Sequence, residues 1–529
     1  MPVLPNPFFA LRTTWQTAKT ARRLKRSHTA VPAQQRTFDQ LIAKLSESVC
    51  GRELGISAVM SYAEFRARIP LRDHQQLLPY FRRIARGEGD VLWPGPTPWS
   101  VATAGTTGEP KWLPVNRPLM EHFEQASQEA LIFYCARKDN TDVFRGRLLS
   151  LGEQLPPARP AEIGGTHTTP PMVTSDENSA TSFTWGVAHL CEPGTAIAHI
   201  PDWSAKIQAI IDRTLGLDIS LLAGLPNWLL LFADSVRERR RAAASPAESL
   251  REVWPQLDCV VHHGIPVSPF QDELKRAMGA AVTLHEVYFA AEAFIAAQDA
   301  DAGSGLRLIE DAGVFFEFIP LSDYNDALPL TLGAKALSLE EVQTNVDYVI
   351  VLTTPAGLCR YVLGDVVRFI STEPPRLIPV GRTKERLTAF TENVLEKELT
   401  DSLVAVCHRH GWSITNFHVA PLLGSSLIGH NHGRHEWWVE LRPGTAETPT
   451  GPILAAHIDV ELQARSASYA SRRQAGPVES PVVRLVMPGF FAHWMQLHHR
   501  WGGQKKMPRC RNDRVIADEF SAIACFNAD

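Results

Sequence analysis

Four short segments carry residue types whose spacing suits chemistry on a phosphorylated ligand. The first is Thr103-Ala-Gly-Thr-Thr-Gly-Glu-Pro-Lys111. Its two glycines and three threonines offer backbone N–H groups and hydroxyls to phosphate oxygens, and Lys111 adds a positive charge. The spacing is not that of a Walker loop, which needs four residues between its glycines and a Gly-Lys-Ser/Thr end. The second is Tyr288-Phe-Ala-Ala-Glu292, just beyond a strand-like run. A carboxylate at a strand end can hold a magnesium ion that bridges phosphates. The third is Gly357-Leu-Cys-Arg-Tyr-Val-Leu-Gly-Asp365. Gly364 lets the backbone come close to a ligand, and Asp365 can accept both hydroxyls of a ribose. The fourth, Gly503-Gln-Lys-Lys-Met-Pro-Arg-Cys510, puts a lysine on a loop. There it can stabilise charge developing on an α-phosphate or on departing pyrophosphate. Each segment alone also fits a plain structural use: a Gly/Thr turn, a tight turn entering a helix, an aspartate turn between strands, a basic surface loop.

The flanking pattern supplies a scaffold for these residues. Leu257 to Val261 is a short apolar run ahead of His262, His263 and Gly264, the pattern of a buried strand ending in a loop. Gln271 to Met278 has helical periodicity, and Ala281 to Val287 reads as a second strand that ends at the Tyr288 segment. Alternating strands and helices predict an α/β layered fold with a largely parallel sheet, in which ligands bind beyond the carboxyl ends of strands. Both loops fall where chemistry is expected, and His262 and His263 either line a pocket or merely shape their loop.

From Asp202 to Glu252 the pattern is mostly helical. Upstream, Phe38, Leu41, Ile42, Leu45 and Val49 predict a helix over 37–49 with one buried face. Ser61-Tyr-Ala-Glu64 is a capping box for a helix that Pro70 ends. Gly313 to Ile319 and Tyr348 to Thr353 predict strands of a smaller, more antiparallel subdomain, and Val366 to Ile370 reads as a further strand. After about Val380 the chain changes to charged helical segments and an α+β-like region. The boundary is placed near Arg382–Arg386, giving a large N-terminal domain, 1–384, and a C-terminal domain, 385–529. His430, His432 and His435 fit a hairpin tip better than a structural zinc site, since no partner cysteine lies near. Cys407 to His410 reads the same way.

Composition narrows the class. The chain has 529 residues, 44% hydrophobic and 21% charged, with a formal net charge of −4. That balance is ordinary for a globular protein and gives no argument for nucleic-acid or membrane-surface binding. Eight cysteines are scattered without a CxxC pair, which predicts a reducing, cytoplasmic setting. The stretch from Met1 to Ser27 is basic and free of acids, a pattern shared by transit peptides and by solvated helix faces. The most apolar later stretch, Ile219 to Ala233, is broken by Gly224, Pro226 and Asn227 and is shorter than the about 20 residues of a spanning helix. There is no GxSxG elbow and no GxGxxG motif ahead of a helix.

Taken in order, the four segments resemble those of the Gretchen Hagen family of acyl-acid amido synthetases, within the adenylate-forming superfamily that includes acyl-CoA ligases and luciferases. In that family a Gly/Thr/Ser-rich loop ending in lysine comes first, a Tyr-x-x-x-Glu motif second, a Tyr-Arg-x-x-x-Gly-Asp-type motif third, and a Gln-x-Lys-x-Pro-Arg-Cys segment last. Here these look like Thr103–Lys111, Tyr288–Glu292, Arg360–Asp365 and Gln504–Cys510. Cys50 to Gly55, Phe65 to Tyr80, Leu225 to Trp228 and Gly381-Arg382 also look familial, so the resemblance covers roughly Cys50 to Cys510.

The resemblance implies an α/β fold: an N-terminal adenylation domain of layered sheets with a smaller β subdomain, and a mobile C-terminal α+β lid. It implies ATP and Mg2+ as cofactors. A small carboxylic acid would become an acyl-AMP with release of pyrophosphate, and an amino acid amine would then take the acyl group. Thr103, Gly105, Thr106, Thr107, Gly108 and Lys111 would surround the phosphates, Tyr288 and Arg382 would meet the nucleotide, and Glu292 would hold magnesium in a catalytic role. Asp365 would fix the ribose. Lys506, rather than Lys505 on the alignment at Pro508-Arg-Cys, would act in adenylation. The resemblance leans towards a monomer with no nucleic-acid or membrane partner. Two departures stand out: Ala290 and Ala291 where the family commonly has serine, and an atypical hinge stretch from Thr388 to Asn393. An acyl-CoA ligase or an adenylate donor to a carrier thiol is the enzymatic alternative. A nucleotide-binding relic is the other, and neither the acid nor the amino acid is named by the sequence.

Overall fold

The computed structural model describes residues 14–15, 17–20, 30–103, 111–152, 190–198, 200–325, 335–424, 432–444, 447–498, 500–502 and 506–526. The chain forms two compact units: Met1–Ile265 with Glu273–Ile378, and Pro266–Asp272 with Pro379–Asp529. The sequence-based boundary stood at 384/385; the second unit starts at Pro379 and also takes in Pro266–Asp272, a seven-residue excursion that no composition change marks.

The first unit opens with helix α1 (Ala30–Leu45), whose buried face carries Phe38, Leu41, Ile42 and Leu45. It starts and stops earlier than the periodicity suggested. Ser48 turns the chain and caps the next short helix by accepting from the Gly51 N–H at 2.9 Å, and a Cβ on Gly51 would stand 1.8 Å from the Leu45 carbonyl oxygen. Helix α2 (Tyr62–Arg68) has the expected capping box between Ser61 and Glu64. It ends because Ile69, ahead of Pro70, is forced to extended geometry. Helix α3 (His74–Ala85) follows. Strands β1 (Trp99–Thr103) and β2 (Lys111–Val115) pair antiparallel, and helix α4 (Arg117–Lys138) comes next.

The main sheet has eleven strands among the described residues. Its parallel half holds β3 (Arg147–Ser150), β4 (Cys191–Glu192), β5 (Ile219–Gly224), β6 (Cys259–His262) and β7 (Thr283–Phe289). Helices α5 (Trp203–Thr214), α6 (Pro226–Ala242) and α7 (Gln271–Met278) lie between these strands in the chain. The antiparallel half adds β8 (Phe294–Ala297), β9 (Leu306–Leu308), β10 (Phe315–Pro320), β11 (Asp347–Thr353), β12 (Tyr361–Thr372) and β13 (Pro375–Arg382). Two expectations are corrected here, and one is refined. The region 202–252 is mostly helical, as its pattern predicts, but it also holds β5, a strand buried along its whole length. A six-residue apolar run buried on both faces has no period to separate it from a helix. The Tyr288 segment is not wholly a loop: β7 runs to Phe289, and the turn after it leads into a strand. Asp365 lies inside the single strand β12 rather than in a turn before a new one.

The outer strand of the antiparallel half is tied to α2 by a buried ion pair. Arg360 is fully buried and donates from Nε and Nη2 to the Glu317 carboxylate at 3.0 and 2.8 Å. Its Nη1 reaches the carbonyls of Ile69 at 2.7 Å and Arg66 at 3.0 Å, satisfying acceptors at the end of α2. Tyr62 Oη adds a bond to Glu317 at 3.2 Å. Burial pushes the Glu317 carboxyl above its usual value, and the guanidinium opposes that shift.

The second unit has a hairpin of β14 (Arg386–Leu387) and β15 (Val394–Leu395), then helix α8 (Glu396–His410), which ends at Gly411 in the left-handed region. A sheet of β16 (Ser413–Leu423), β17 (Gly433–Arg442) and β18 (Val482–Val486) is covered on both faces. Trp437 joins a core with Leu403, Leu454 and Ile458 from α8 and helix α9 (Gly451–Arg465). Its neighbour Trp438 joins the opposite core with helices α10 (Phe490–Leu497) and α11 (Val515–Phe526). Side-chain alternation along β17 makes this two-sided burial possible. His435 is therefore interior, with Nε2 3.0 Å from Glu392, not at a hairpin tip; His430 lies outside the described residues. No group of three metal-ligating side chains occurs among the described residues, and none of their helices is long and apolar enough to cross a membrane.

Replacing Arg360 by alanine leaves Glu317 charged and unpaired in the core, so a loss of about 3–5 kcal/mol is expected in denaturant unfolding. Acid should also destabilise the fold. Burial holds His122 and His262 at about 4. The unfolded chain takes up protons first, so stability is full above about 6.5 and falls between there and 4, by up to about 3 kcal/mol for each such histidine. Unfolding curves at stepped pH check the direction: stability that is level or rising on acidification contradicts it.

Candidate functional site

The carboxyl ends of β3, β5, β6 and β7 lie along one edge, because the register sets Ser150 beside Ala223, Gly224 beside His262 and His262 beside Glu286. Strand β7 runs three residues past this line, to Phe289. The turn that follows is tight: the Ala290 N–H donates to the Ala293 carbonyl at 2.9 Å. Glu292 sits in that turn and is only 6% exposed. Below it, His122 fixes the return strand. His122 Nε2 accepts from the Phe294 N–H at 2.9 Å, which leaves Nδ1 to donate to the Ala312 carbonyl at 2.6 Å. One neutral tautomer meets both demands, consistent with its depressed titration.

Tyr288 Oη donates to Asp365 Oδ2 at 2.8 Å. In the order of the sheet, β8, β9 and β13 stand between β7 and β12. Four strand spacings in a flat sheet would be about 19 Å, far beyond one tyrosine, so the antiparallel half curls back towards the parallel edge. A local irregularity in β12 aims Asp365. Val349 pairs with Val366 and Val351 with Val362, so the strand carries extra residues between those pairs. Gly364 absorbs them at φ +87°.

The other conspicuous residues of that segment serve packing. Gly357 has φ +84°, and a Cβ there would lie 2.1 Å from the Leu92 carbonyl oxygen. Arg360 belongs to the buried pair with Glu317. Beside the Tyr288 turn, the ring of His263 lies 4.6 Å from that of Phe289.

Thr103 and Lys111 stand opposite each other at the ends of β1 and β2. The loop between them, with Gly105, Thr106, Thr107 and Gly108, lies outside the described residues. At the opposite end of this hairpin, Asn116 caps α4 by accepting from the Leu119 N–H at 3.0 Å, and its Nδ2 donates to the Pro355 carbonyl at 2.8 Å in the turn before β12. One side chain thus ties the β1–β2 hairpin to the turn that leads into the third segment.

Arg382 and Lys506 belong to the second unit; Lys505 lies outside the described residues. Both cations act on Glu396 at the start of α8, as do Glu385 and Arg509. Burial first, and the Glu385 charge next, push the Glu396 carboxyl up to about 7. The residue sequence gave no sign of this cluster, nor of His122. Glu396 lies about a hundred residues from Lys506 and reads as an ordinary acid in a first helical turn.

Family models match the chain in three places: the GH3 family N-terminal domain over residues 21–163, its central domain over 308–382 and its C-terminal domain over 397–515. A probable indole-3-acetic acid-amido synthetase, GH3.12 of Oryza sativa subsp. japonica, is 23% identical over 561 residues, covering 91% of each chain. The jasmonoyl-L-amino acid synthetase JAR4 of Nicotiana attenuata is 24% identical over 425 residues, covering 69% of this chain and 71% of that one. Among solved structures, the AtGH3.15 acyl acid amido synthetase in complex with 2,4-DB superposes with a TM-score of 0.71 at 16% identity, covering 96% of both chains. A 2-hydroxyisobutyryl-CoA ligase in the postadenylation state follows at TM-score 0.59 and 16% identity, covering 93% of this chain and 91% of that one. These last two are likenesses of fold. With three family models matched in order over more than half its length, the chain belongs to the GH3 family of adenylate-forming amido synthetases.

Proposed function

We propose that this protein activates a small carboxylic acid with ATP and magnesium as an acyl-adenylate, and then transfers the acyl group to the amine of an amino acid. The observation that carries the residue assignments is the Tyr288–Asp365 hydrogen bond at the carboxyl edge of the parallel strands, with Glu292 buried in the adjoining turn. Two segments far apart in sequence converge where an α/β sheet binds its ligands.

In this reading Asp365 accepts the ribose hydroxyls, and Tyr288, by donating to one carboxylate oxygen, orients the other towards the sugar. Thr103, Gly105, Thr106, Thr107, Gly108 and Lys111 receive the phosphates. A substrate carboxylate oxygen attacks the α-phosphorus, the bond to the departing pyrophosphate breaks, and Lys506 stabilises the charge that develops. Arg382 meets the nucleotide at the hinge, and the segment from about residue 385 acts as the mobile lid. The deprotonated amine then attacks the acyl carbon, and the C–O bond to AMP breaks. The residues fit a magnesium ion that arrives with the nucleotide. A single buried carboxylate is the usual protein share of such a site, the rest being phosphate and water. Glu292 would hold the ion, which would supply positive charge against the phosphates.

The seven described cysteines are all free, which supports a cytoplasmic setting. The enzyme is read as a monomer.

Pyrophosphate release should be measured across a panel of carboxylic acids, with and without each amino acid or coenzyme A. Acid-dependent release, followed by an amide product, is expected. A thioester in place of the amide would reassign the second half-reaction, and no release with any acid would remove the first. Asp365→Ala and Lys506→Ala should each lower the rate by roughly 10²–10³-fold. Tyr288→Phe removes a single hydrogen bond, so a milder loss of roughly 3- to 10-fold is expected, mostly in KM for ATP. Unchanged kinetics in that variant would mean that the Tyr288–Asp365 contact does not serve the nucleotide.

A further inference from the structure

The turn that carries Glu292 is not a regular hairpin tip. Strand β7 pairs with β8 as Val287 with Ala297, Tyr288 with Ala296 and then Phe289 with Phe294, so Ile295 is an extra residue on the returning side. Only Ala291 and Glu292 then lie between Ala290 and Ala293, which close the turn through the bond from the Ala290 N–H to the Ala293 carbonyl at 2.9 Å. Two-residue tips that match the twist of their strands need positive φ, and neither Ala291 nor Glu292 has it. The extra residue beside the tip is a β-bulge that takes up this mismatch and re-aims the side chains next to it. In the unbulged register Phe289 would face Ile295 and Ala290 would face Phe294. Glu292 would then stand in the middle of a three-residue loop, and its carboxylate would leave the turn in another direction.

A bulge takes backbone groups out of the ladder, and they need other partners. The Ile295 carbonyl accepts from the Ile309 N–H at 2.8 Å, just past β9. The Phe294 N–H donates to His122 Nε2 at 2.9 Å. His122 is 3% exposed and lies on the buried face of α4. The same helix follows the β1–β2 hairpin and is held by Asn116 to the turn before β12.

The two ring nitrogens of His122 are not equally replaceable. Nδ1 donates to the Ala312 carbonyl at 2.6 Å, and one turn further along α4 Gln125 Nε2 donates to the neighbouring Asp311 carbonyl at 2.8 Å. The stretch ahead of β10 is thus gripped twice from one face of the helix. The Phe294 N–H has one grip. Without the Nε2 acceptor a buried N–H would be stranded, a penalty that slippage towards the regular register relieves.

We propose that His122 is a positioning residue for Glu292: by accepting from the Phe294 N–H it holds the bulge, and the bulge fixes where the Glu292 carboxylate stands. This rests on the assignment of Glu292 to magnesium. His122 itself touches neither nucleotide nor metal; it acts through the backbone between Phe294 and Glu292.

Two substitutions separate the nitrogens. In His122→Gln the amide oxygen reaches the place of Nε2 and keeps the acceptor. In His122→Asn the shorter amide reaches only the place of Nδ1 and keeps the donor to Ala312. Both are compared with wild type and Glu292→Gln by three measurements: amide hydrogen exchange over 288–297 without nucleotide or metal, thermal unfolding, and the free-magnesium dependence of acid-dependent pyrophosphate–ATP exchange. His122→Asn should exchange faster at Phe294 and raise the half-saturating magnesium concentration roughly 10-fold, as Glu292→Gln also should. His122→Gln should keep the slow exchange and stay within about 2-fold of the wild-type magnesium requirement, whatever its Tm. If His122→Asn lowers Tm but leaves the magnesium requirement unchanged while Glu292→Gln raises it, His122 is merely structural and the inference fails with Glu292 still assigned. If His122→Asn does not fold, His122→Gln decides alone: a raised magnesium requirement there overturns the inference. A wild-type requirement in Glu292→Gln overturns the assignment of Glu292 and the inference with it.

Discussion

Strand β7 pairs parallel with β6 on one side and antiparallel with β8 on the other, and much of the first unit follows from that double pairing. A parallel partner places its carboxyl end on the edge where the other parallel strands also end. An antiparallel partner demands that the chain reverse at once, so a tight turn must occupy that edge. Glu292 sits in that turn, and Tyr288 projects from the strand just before it. The carboxyl edge of the parallel half and the start of the antiparallel half are therefore the same place in space.

The antiparallel half must also close on this point. Asp365 is four strands away in the sheet, and only curvature brings it within a hydrogen bond of Tyr288. Two devices accommodate it. The irregular pairing at Gly364 bends β12 locally and turns Asp365 out of the regular alternation. At the other edge, the Arg360–Glu317 pair holds α2 against β10. Ionic burial of this kind is seldom a net source of stability, but its geometry is strict. Four hydrogen bonds from one planar fork meet a carboxylate and two helix-end carbonyls, and no apolar substitute would dictate the same placement of the edge. The conspicuous arginine of the third segment thus has a structural role, while its aspartate meets Tyr288.

In the second unit the emphasis shifts from curvature to charge. Two apolar cores cover both faces of a three-stranded sheet, and Arg509 lies buried against Phe417 of one of them. Burial also raises the Glu396 carboxyl. Its near-neutral titration and the depressed value of Arg509 have one cause, burial that disfavours both charged forms unless they stand close together.

Local chemistry made much of this legible from residues alone. The capping box at Ser61, the stop at Pro70, the helix Gln271–Met278 and the strands near Cys259 and Asp347 depend on neighbours within a few positions, and the sequence states those directly. The order of the four chemical segments was likewise legible, because motif spacing survives at identities near 23%. What only tertiary structure decided were relations between distant residues. The burial of β5 on both faces, the continuity of β12 through Asp365, the neutral tautomer of His122, the division of labour between Arg360 and Asp365, and the cluster around Glu396 all arise from contacts across tens to hundreds of residues. No local period encodes them. They are set by which surfaces the sheet brings together and by the electrostatic cost of what is buried between them.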